Sequence, residues 1–319
     1  MRRGDKGRNC RPAGRVPVVL FIHRRTWHLQ RVLRPIRGYR PDRLYVFADG
    51  WRRGNTAEES ACRKARACVR KQVDWPCRLI FCESSSRLGL KQSVERGLRR
   101  VFREVERAII LEDDCVASRP FFVFCEEALK KYEKDRSVMS ISGSCFVGPE
   151  TAIPWHAYRS RYPHCWGWAT WRRAWRNYRG KMSLMELRTI LEAQGFPGRE
   201  RSHWRRVAGQ LSRNLLSSWA YFWMWSLWRS GGRALNPAVN LVKNIGFDST
   251  AHHTRDLGGR LAIRQGRLPL GKHLDVAGAG PSEILDRSVF QNHYRVMSGR
   301  RSWLEKLHQG LFRLVPRFF

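Results

Sequence analysis

Acid is scarce in this chain. Only 27 Asp and Glu stand against 61 Lys and Arg, a formal net charge of +34 over 319 residues. A pI near 11.2 implies attraction to polyanions, whether nucleic acid, anionic lipid or phosphorylated substrates. The arginines are spread through otherwise amphipathic segments, so charge alone does not name the partner. Paired cysteines are also missing. The nine Cys are scattered singly, with no Cys-x-x-Cys pair and no His/Cys cluster at zinc-finger spacing, which argues against a structural zinc site. The odd count, with no recognisable signal peptide, points to reduced thiols in the cytoplasm. No apolar run approaches the ~18 residues that would span a bilayer, so a soluble or peripheral protein is expected. Apolar residues themselves are plentiful: 42% hydrophobic content with 14 Trp and 15 Phe excludes a disordered polycation.

Against so few acids, Arg107-Ala-Ile-Ile-Leu-Glu-Asp-Asp-Cys115 stands out. Ala108 to Leu111 is a short continuous apolar run, the pattern of a strand buried on both faces. It ends in three carboxylates, Glu112, Asp113 and Asp114. These repel one another, and strand ends facing a crevice are where open α/β sheets bind ligands. A hard divalent cation with oxygen ligands would offset that repulsion. The plain alternative is a solvated turn ahead of the next helix.

Residues 1–15 are basic and rich in Gly and Pro, a disordered lead-in by composition. Val16 to Ile22 reads as a first strand, and Thr26 as the cap of a helix running to about Arg37. Leu44 to Phe47 is a second strand ending in Ala48-Asp49-Gly50. Thr56 with Glu59 suggests a capping box for a helix through about Gln72. Arg78 to Phe81 is a third strand, Gly89 to about Val105 a third helix, and the acidic strand follows. Strands alternating with helical stretches require parallel crossovers, so residues 16–145 read as an α/β open sheet. Its strand ends would gather Arg24, Asp49 and the acidic trio around one site.

From about residue 146 the texture changes. Tyr158 to Trp171 is dense in aromatics, with Gly167 allowing close backbone approach. Ser218 to Trp228 is apolar nearly all round and, as a helix, would be buried on most faces. Asn236 to Phe247 reads as a strand-like connector, and His252-His253 follows. Residues 259–319 form an extension whose end, Trp303 to Phe319, could make an amphipathic helix suited to a membrane surface.

Taken in order, Val18 to Ile22, Ala48-Asp49-Gly50, Ile109-Ile-Leu-Glu-Asp-Asp114, Phe121-Phe122, Tyr162-Pro-His-Cys-Trp-Gly-Trp-Ala-Thr-Trp171 and Asn240-Leu-Val-Lys-Asn-Ile-Gly-Phe247 resemble a known family. The series, covering roughly residues 16–255, looks like bacterial nucleotide-diphospho-sugar transferases of the GT-A fold, the family-2-like enzymes called haemolytic-protein-like glycosyltransferases. They are similar in turn to the eukaryotic N-acetylglucosaminyltransferase that modifies mannose on N-glycans, which carries the same Glu-Asp-Asp signature. The resemblance implies a Rossmann-like single large domain with a mostly parallel central sheet. Residues 16–145 would be its nucleotide-sugar half and 146–258 an aromatic-rich acceptor half.

It further implies a metal-dependent, inverting transfer from a UDP-linked or similar donor to a glycan or lipid-linked acceptor, as in bacterial surface polysaccharide synthesis. Asp114 would hold Mn²⁺ or Mg²⁺, Asp113 would act beside it, and Glu112 would accept from ribose hydroxyls. Asp49 would accept from the base, and Arg24, Arg87 and Lys91 would lie near the nucleotide and its phosphates. Trp166, Gly167 and Trp168 would face substrate. Relatives often carry an acid where this chain has Ala220, which cannot serve as general base. Asp248 is the nearest substitute in sequence, with Glu186 less favoured and Asp113 also carried as catalytic. Two other readings stay open: a sugar-nucleotide binder without transfer activity, and a basic single-strand nucleic-acid binder, which would not explain the acidic strand end. No specific nucleic acid is expected as partner, whereas an anionic cytoplasmic membrane face is.

Overall fold

The computed structural model describes residues 14–247, 268, 274–278 and 282–295. Its first part alternates strand and helix: β1 (Val18–Ile22), α1 (Thr26–Tyr39), β2 (Arg43–Ala48), α2 (Thr56–Gln72), β3 (Arg78–Glu83), α3 (Leu90–Glu104) and β4 (Arg107–Glu112). β1 and most of β4 are apolar without alternation because helices cover both faces of the sheet, and the Val18–Ile22 and Ala108–Leu111 side chains are all buried. The helical crossovers make these four strands parallel, with Leu20 opposite Val46 on one side and Leu111 on the other. Their carboxyl ends therefore fall along one edge of the sheet.

The second part runs β5 (Cys115–Ala117), α4 (Arg119–Lys131), β6 (Val138–Ser142), β7 (Ala157–Ser160), β8 (Trp168–Trp171), α5 (Arg172–Trp175), α6 (Leu184–Ala193), α7 (Gly198–Ser212), α8 (Trp219–Arg229), β9 (Arg233–Pro237), β10 (Val242–Asn244) and α9 (Glu283–Val289). A π-helical turn, Phe290–Arg295, continues α9. β8 inserts antiparallel between β4 and β6, giving an eight-stranded sheet of order β3-β2-β1-β4-β8-β6-β9-β7. Four of its seven pairings are parallel, the exceptions being β4–β8, β6–β8 and β7–β9. The result is a mixed α/β domain with a mostly parallel, Rossmann-like central sheet. β5 and β10 form a separate two-stranded antiparallel ribbon. The change of texture near residue 145 falls between β6 and β7, two strands of the same sheet.

Two apolar cores flank α8. Trp219, Trp223 and Leu227 join the core around the sheet, while Met224, Trp225 and Trp228 join a second, aromatic core with Tyr162 and Trp204. A helix walled in on both sides has no polar face to keep, which is why its sequence shows so little amphipathicity.

Local details differ from the sequence reading. α2 is capped by Asn55, whose Oδ1 accepts from the Glu58 amide at 2.9 Å, and not by Thr56. Glu59 instead pairs with Arg63, one turn on, at 2.7 Å. Thr26 is the first residue of α1 rather than its cap; the cap position belongs to Arg25, whose side chain is drawn to Asp114. Asn236 to Phe247 is not one strand but the end of β9, a bend, and β10. Asp248, His252, His253 and the segment 303–319 lie outside the described residues. Within the described residues no helix is long and apolar enough to cross a membrane, and the eight cysteines there form no disulfide with one another.

Candidate functional site

A cavity of about 550 Å³ opens along the carboxyl ends of β1, β2 and β4 and is closed from the other side by the start of α8 and the π-helical turn. Its walls differ in kind. One is charged, lined by Arg24, Arg25, Asp49, Arg87, Lys91 and Glu112 to Asp114. The other is uncharged, lined by Phe146, Pro163 to Trp166, Trp219 to Tyr221, Met224, His293 and Tyr294.

The acidic trio sits where β4 runs out into the turn before β5. Burial pushes the Glu112 carboxyl well up, and the neighbouring Asp114 and Asp113 add to it. Asp113 is raised to about 7, by burial first and by Asp114 second. The His23 amide, at the end of β1, donates to Asp113 Oδ2 at 3.0 Å and works against that shift. Arg25 Nη1 donates to Asp114 Oδ2 at 3.0 Å, a cation already set among the three acids. Close packing holds Asp114 from the far side as well. The Ile245 amide donates to its backbone carbonyl at 2.9 Å, His28 Nε2 donates to the Ile245 carbonyl at 3.1 Å, and a Cβ on Gly246 would collide with the Asp114 carboxylate. The Asn240–Phe247 motif is thus the rear support of the trio.

Asp49 is engaged in a different way. Its Oδ1 accepts from the Gly50 and Leu88 amides at 2.8 Å each, and Oδ2 accepts from the Gly89 amide at 3.0 Å. It clamps the loop that starts α3, and Gly50 is required beside it because a Cβ there would strike the Ser86 backbone. Arg87 donates to the buried Glu58 at 2.8 Å. Lys91 donates to the Gly180 carbonyl at 3.0 Å, lies 3.4 Å from Glu95, and its ammonium sits 4.9 Å from the Phe222 ring centre. His23 completes this corner: Nε2 donates to the Gly50 carbonyl at 3.1 Å, and burial lowers its pKa towards the neutral form.

On the uncharged wall, Trp166 and Trp168 part company. Gly167 takes φ +67°, and a Cβ there would stand 2.6 Å from Val242 Cγ2, so only glycine makes this turn. The turn sends Trp166 to the cavity, edge-on to Phe146 at 5.2 Å and Phe247 at 5.4 Å. Trp168 enters the sheet core at 1% exposure, against Trp219 at 5.4 Å and Trp223 at 5.6 Å. Trp168 is therefore a packing residue here, and Gly167 shapes the wall without lining it. Ala220 lines the cavity with no carboxylate to offer. Among the described residues the carboxylates that do line it are Asp49 and the trio. Glu186 lies elsewhere, 3.5 Å from Arg229. The sequence reading missed Arg25, one residue beyond the expected Arg24, together with Gly246, His164, His293 and Tyr294. The only signal for Arg25 was its place at a strand end, shared with its neighbours. His293 and Tyr294 come from the extension after residue 259, where no periodicity marked them.

Among the described residues no three His, Cys, Asp or Glu side chains are grouped as a metal cage. The trio fits an ion that takes one or two protein oxygens and draws the rest of its shell from a ligand's phosphates and water. Comparison with known proteins stays remote. No protein-family model matches the chain, and no curated protein sequence matches it. Among solved structures, it is similar to the 4-diphosphocytidyl-2C-methyl-D-erythritol synthase of Anaerococcus prevotii at TM-score 0.30 and 9% identity, over 50% of this chain and 73% of that one. An apo UDP-glucose pyrophosphorylase gives TM-score 0.35 and 9% identity, over 72% and 92%. A UDP-glucose pyrophosphorylase complexed with UDP-glucose gives 0.27 and 11%, over 44% and 66%. Likeness at this level carries no argument about activity.

Proposed function

We propose that the chain is a metal-dependent glycosyltransferase that takes a sugar from a nucleotide diphosphate, UDP-linked, and passes it to a glycan or lipid-linked acceptor. The observation that carries this reading is the carboxylate trio at the end of β4, set in a cavity of about 550 Å³ and flanked by Arg24, Arg25, Arg87 and Lys91. Glu112 and Asp113, pushed up by burial and by the charge of Asp114, are relieved by a cation, and arginines beside them suit a diphosphate. Bound against Asp114, Mn²⁺ or Mg²⁺ would supply Lewis-acid stabilisation of the departing diphosphate. Arg25 would exchange its Asp114 partner for a phosphate oxygen as the donor enters, and Glu112 would accept from ribose hydroxyls. Asp49 would serve by holding the α3 loop against the nucleotide, with its remaining lone-pair capacity turned to the base.

Displacement with inversion needs a base near the acceptor hydroxyl. Asp113, among the carboxylates that line the cavity, is one candidate, and Asp248, next in sequence to Phe247, is the second. Ala220 on the cavity wall supports a second reading, a protein that binds the nucleotide sugar without transferring it. For the first reading an acceptor for surface polysaccharide at the inner membrane face, with its anionic lipids, is the proposed setting. Calorimetric titration of UDP with and without Mn²⁺ tests the shared core of both readings: metal-dependent binding should weaken by about 100-fold or more in Asp114→Ala. Binding indifferent to metal and to Asp114 would overturn both. Transfer or donor hydrolysis above background separates the first reading from the second.

A further inference from the structure

Among the described residues, three ring nitrogens on the uncharged wall are buried without a hydrogen-bond partner: both of His164 and Nδ1 of His293. Folded proteins seldom leave buried polar atoms unpaired, and each such atom weakens the fold. Here they belong to two adjoining rings, 5.4 Å apart between centres, that both line the cavity.

Both rings are packed among aromatic side chains. His164 sits in the loop between β7 and β8, where its amide donates to Ser142 Oγ at 3.0 Å, and its ring meets Phe146 edge-on at 4.6 Å. His293 stacks on Phe146 at 4.0 Å and is carried by the π-helical turn that also brings Tyr294 to the cavity. Such turns are rare and recur at functional sites. Burial keeps both imidazoles neutral. A neutral imidazole offers one donor and one acceptor, as does a sugar hydroxyl. The same wall supplies the aromatic faces of Trp166 and Tyr294, on which the C–H face of a pyranose packs. Among the described residues no Asp, Glu, Lys or Arg belongs to it, which disfavours phosphate or carboxylate there.

We propose that this wall is a subsite for a neutral sugar ring, with His164 and His293 reading its hydroxyls by hydrogen bonds. The proposal rests on the nucleotide-sugar reading of the cavity and adds where the sugar goes and what selects it. The ring belongs either to the donor or to the end of the acceptor, and both present the same chemistry.

Calorimetry on the full chain in Mn²⁺ decides it, using UDP, UDP-glucose, UDP-galactose and UDP-N-acetylglucosamine. The methyl glycosides of the three sugars are titrated with and without UDP. In His164→Phe at least one sugar-bearing probe should lose about tenfold in affinity while UDP alone stays within about twofold of the wild type. His164→Gln, which keeps a donor and an acceptor, should recover part of the loss. Loss confined to nucleotide sugars assigns the subsite to the donor, and loss with the glycosides assigns it to the acceptor. His293→Phe repeats the test should His164→Phe not fold. Three results would overturn the proposal: sugar affinities unchanged in both histidine variants, UDP weakening in parallel with the sugars, or no sugar probe bound by the wild type beyond UDP itself. UDP failing to bind while a glycoside binds through His164 would sink the donor reading and leave the subsite standing.

Discussion

The two walls of the cavity are built by opposite means. The charged wall comes from the ends of β1, β2 and β4, three neighbouring parallel strands, and from the start of the crossover helix α3, brought together by the topology of the sheet. It is costly to hold, since Glu112 and Asp113 are pushed up by burial and by the neighbouring Asp114. The uncharged wall takes Phe146, Pro163 to Trp166, the start of α8 and the π-helical turn from places far apart in sequence. It continues the aromatic core that includes Tyr162 and Trp204. Where charge must be concentrated, this fold places it at an edge that topology supplies. Where shape must be built, it uses packing, and stability and site become the same residues.

That contrast can be broken most forcefully at Trp168. Trp168→Ala should cost about 3–5 kcal/mol in chemical denaturation, the usual loss for a buried Trp, yet leave UDP affinity per folded molecule unchanged. A specific loss of nucleotide binding would mean that the core and the charged wall are not separable. Asp113→Asn should do the reverse. The free carboxyl titrates near 3.8 and the folded one near 7, so between these values the folded chain keeps a proton that the unfolded chain has released. Its contribution is present below about pH 4 and lost as pH rises through 7, and removing the charge should stabilise the protein at pH 8 by roughly 1–3 kcal/mol while weakening metal-dependent binding. Equal stability of variant and wild type at pH 8 would show the trio to be unstrained.

Gly246→Ala sharpens the comparison at lower amplitude. The added methyl must displace the Asp114 carboxylate, a flexible side chain, so metal-dependent UDP binding should fall by about tenfold while the melting temperature moves little. A last measurement bears on the uncharged wall and on the aromatic core behind it. Unfolded histidine titrates near 6.5, whereas burial pushes His203 down to about 4 and His293 to about 3. Below pH 6.5 the unfolded chain takes up protons that the fold refuses, so stability present at pH 7 is lost on acidification. His293→Phe should flatten the stability curve between pH 6.5 and 4 by up to about 1.4 kcal/mol per pH unit. An unchanged slope would mean that His293 is protonated in the fold.

How much of this could be read from the sequence follows the same division. The four parallel strands and their order of helices are written in continuous apolar runs such as Val18–Ile22 and Ala108–Leu111, because burial on both faces leaves no polar positions. The trio was visible because acids are scarce and these three are adjacent. β8 was not legible: Trp168–Trp171 is too short and too aromatic to distinguish strand from core helix, and its antiparallel place between β4 and β6 depends on partners remote in sequence. Arg25 was hidden by Arg24 beside it. Which of two neighbouring arginines meets Asp114 is set by the first turn of α1, at a resolution no periodicity carries. Trp166 and Trp168 likewise look equivalent until the φ of Gly167 separates them.

The insertion of β8 also sets an order of events during synthesis. Strand β4 finds its neighbour β1 already made on one side, but its other edge waits for Trp168–Trp171. At about 5–20 residues per second, the roughly sixty residues between leave that edge open for several seconds, with the acidic turn at its tip. An apolar strand so exposed is a template for unwanted pairing. A chain cut near residue 145 would carry the complete charged wall and an unpaired central strand, and should accumulate as aggregate.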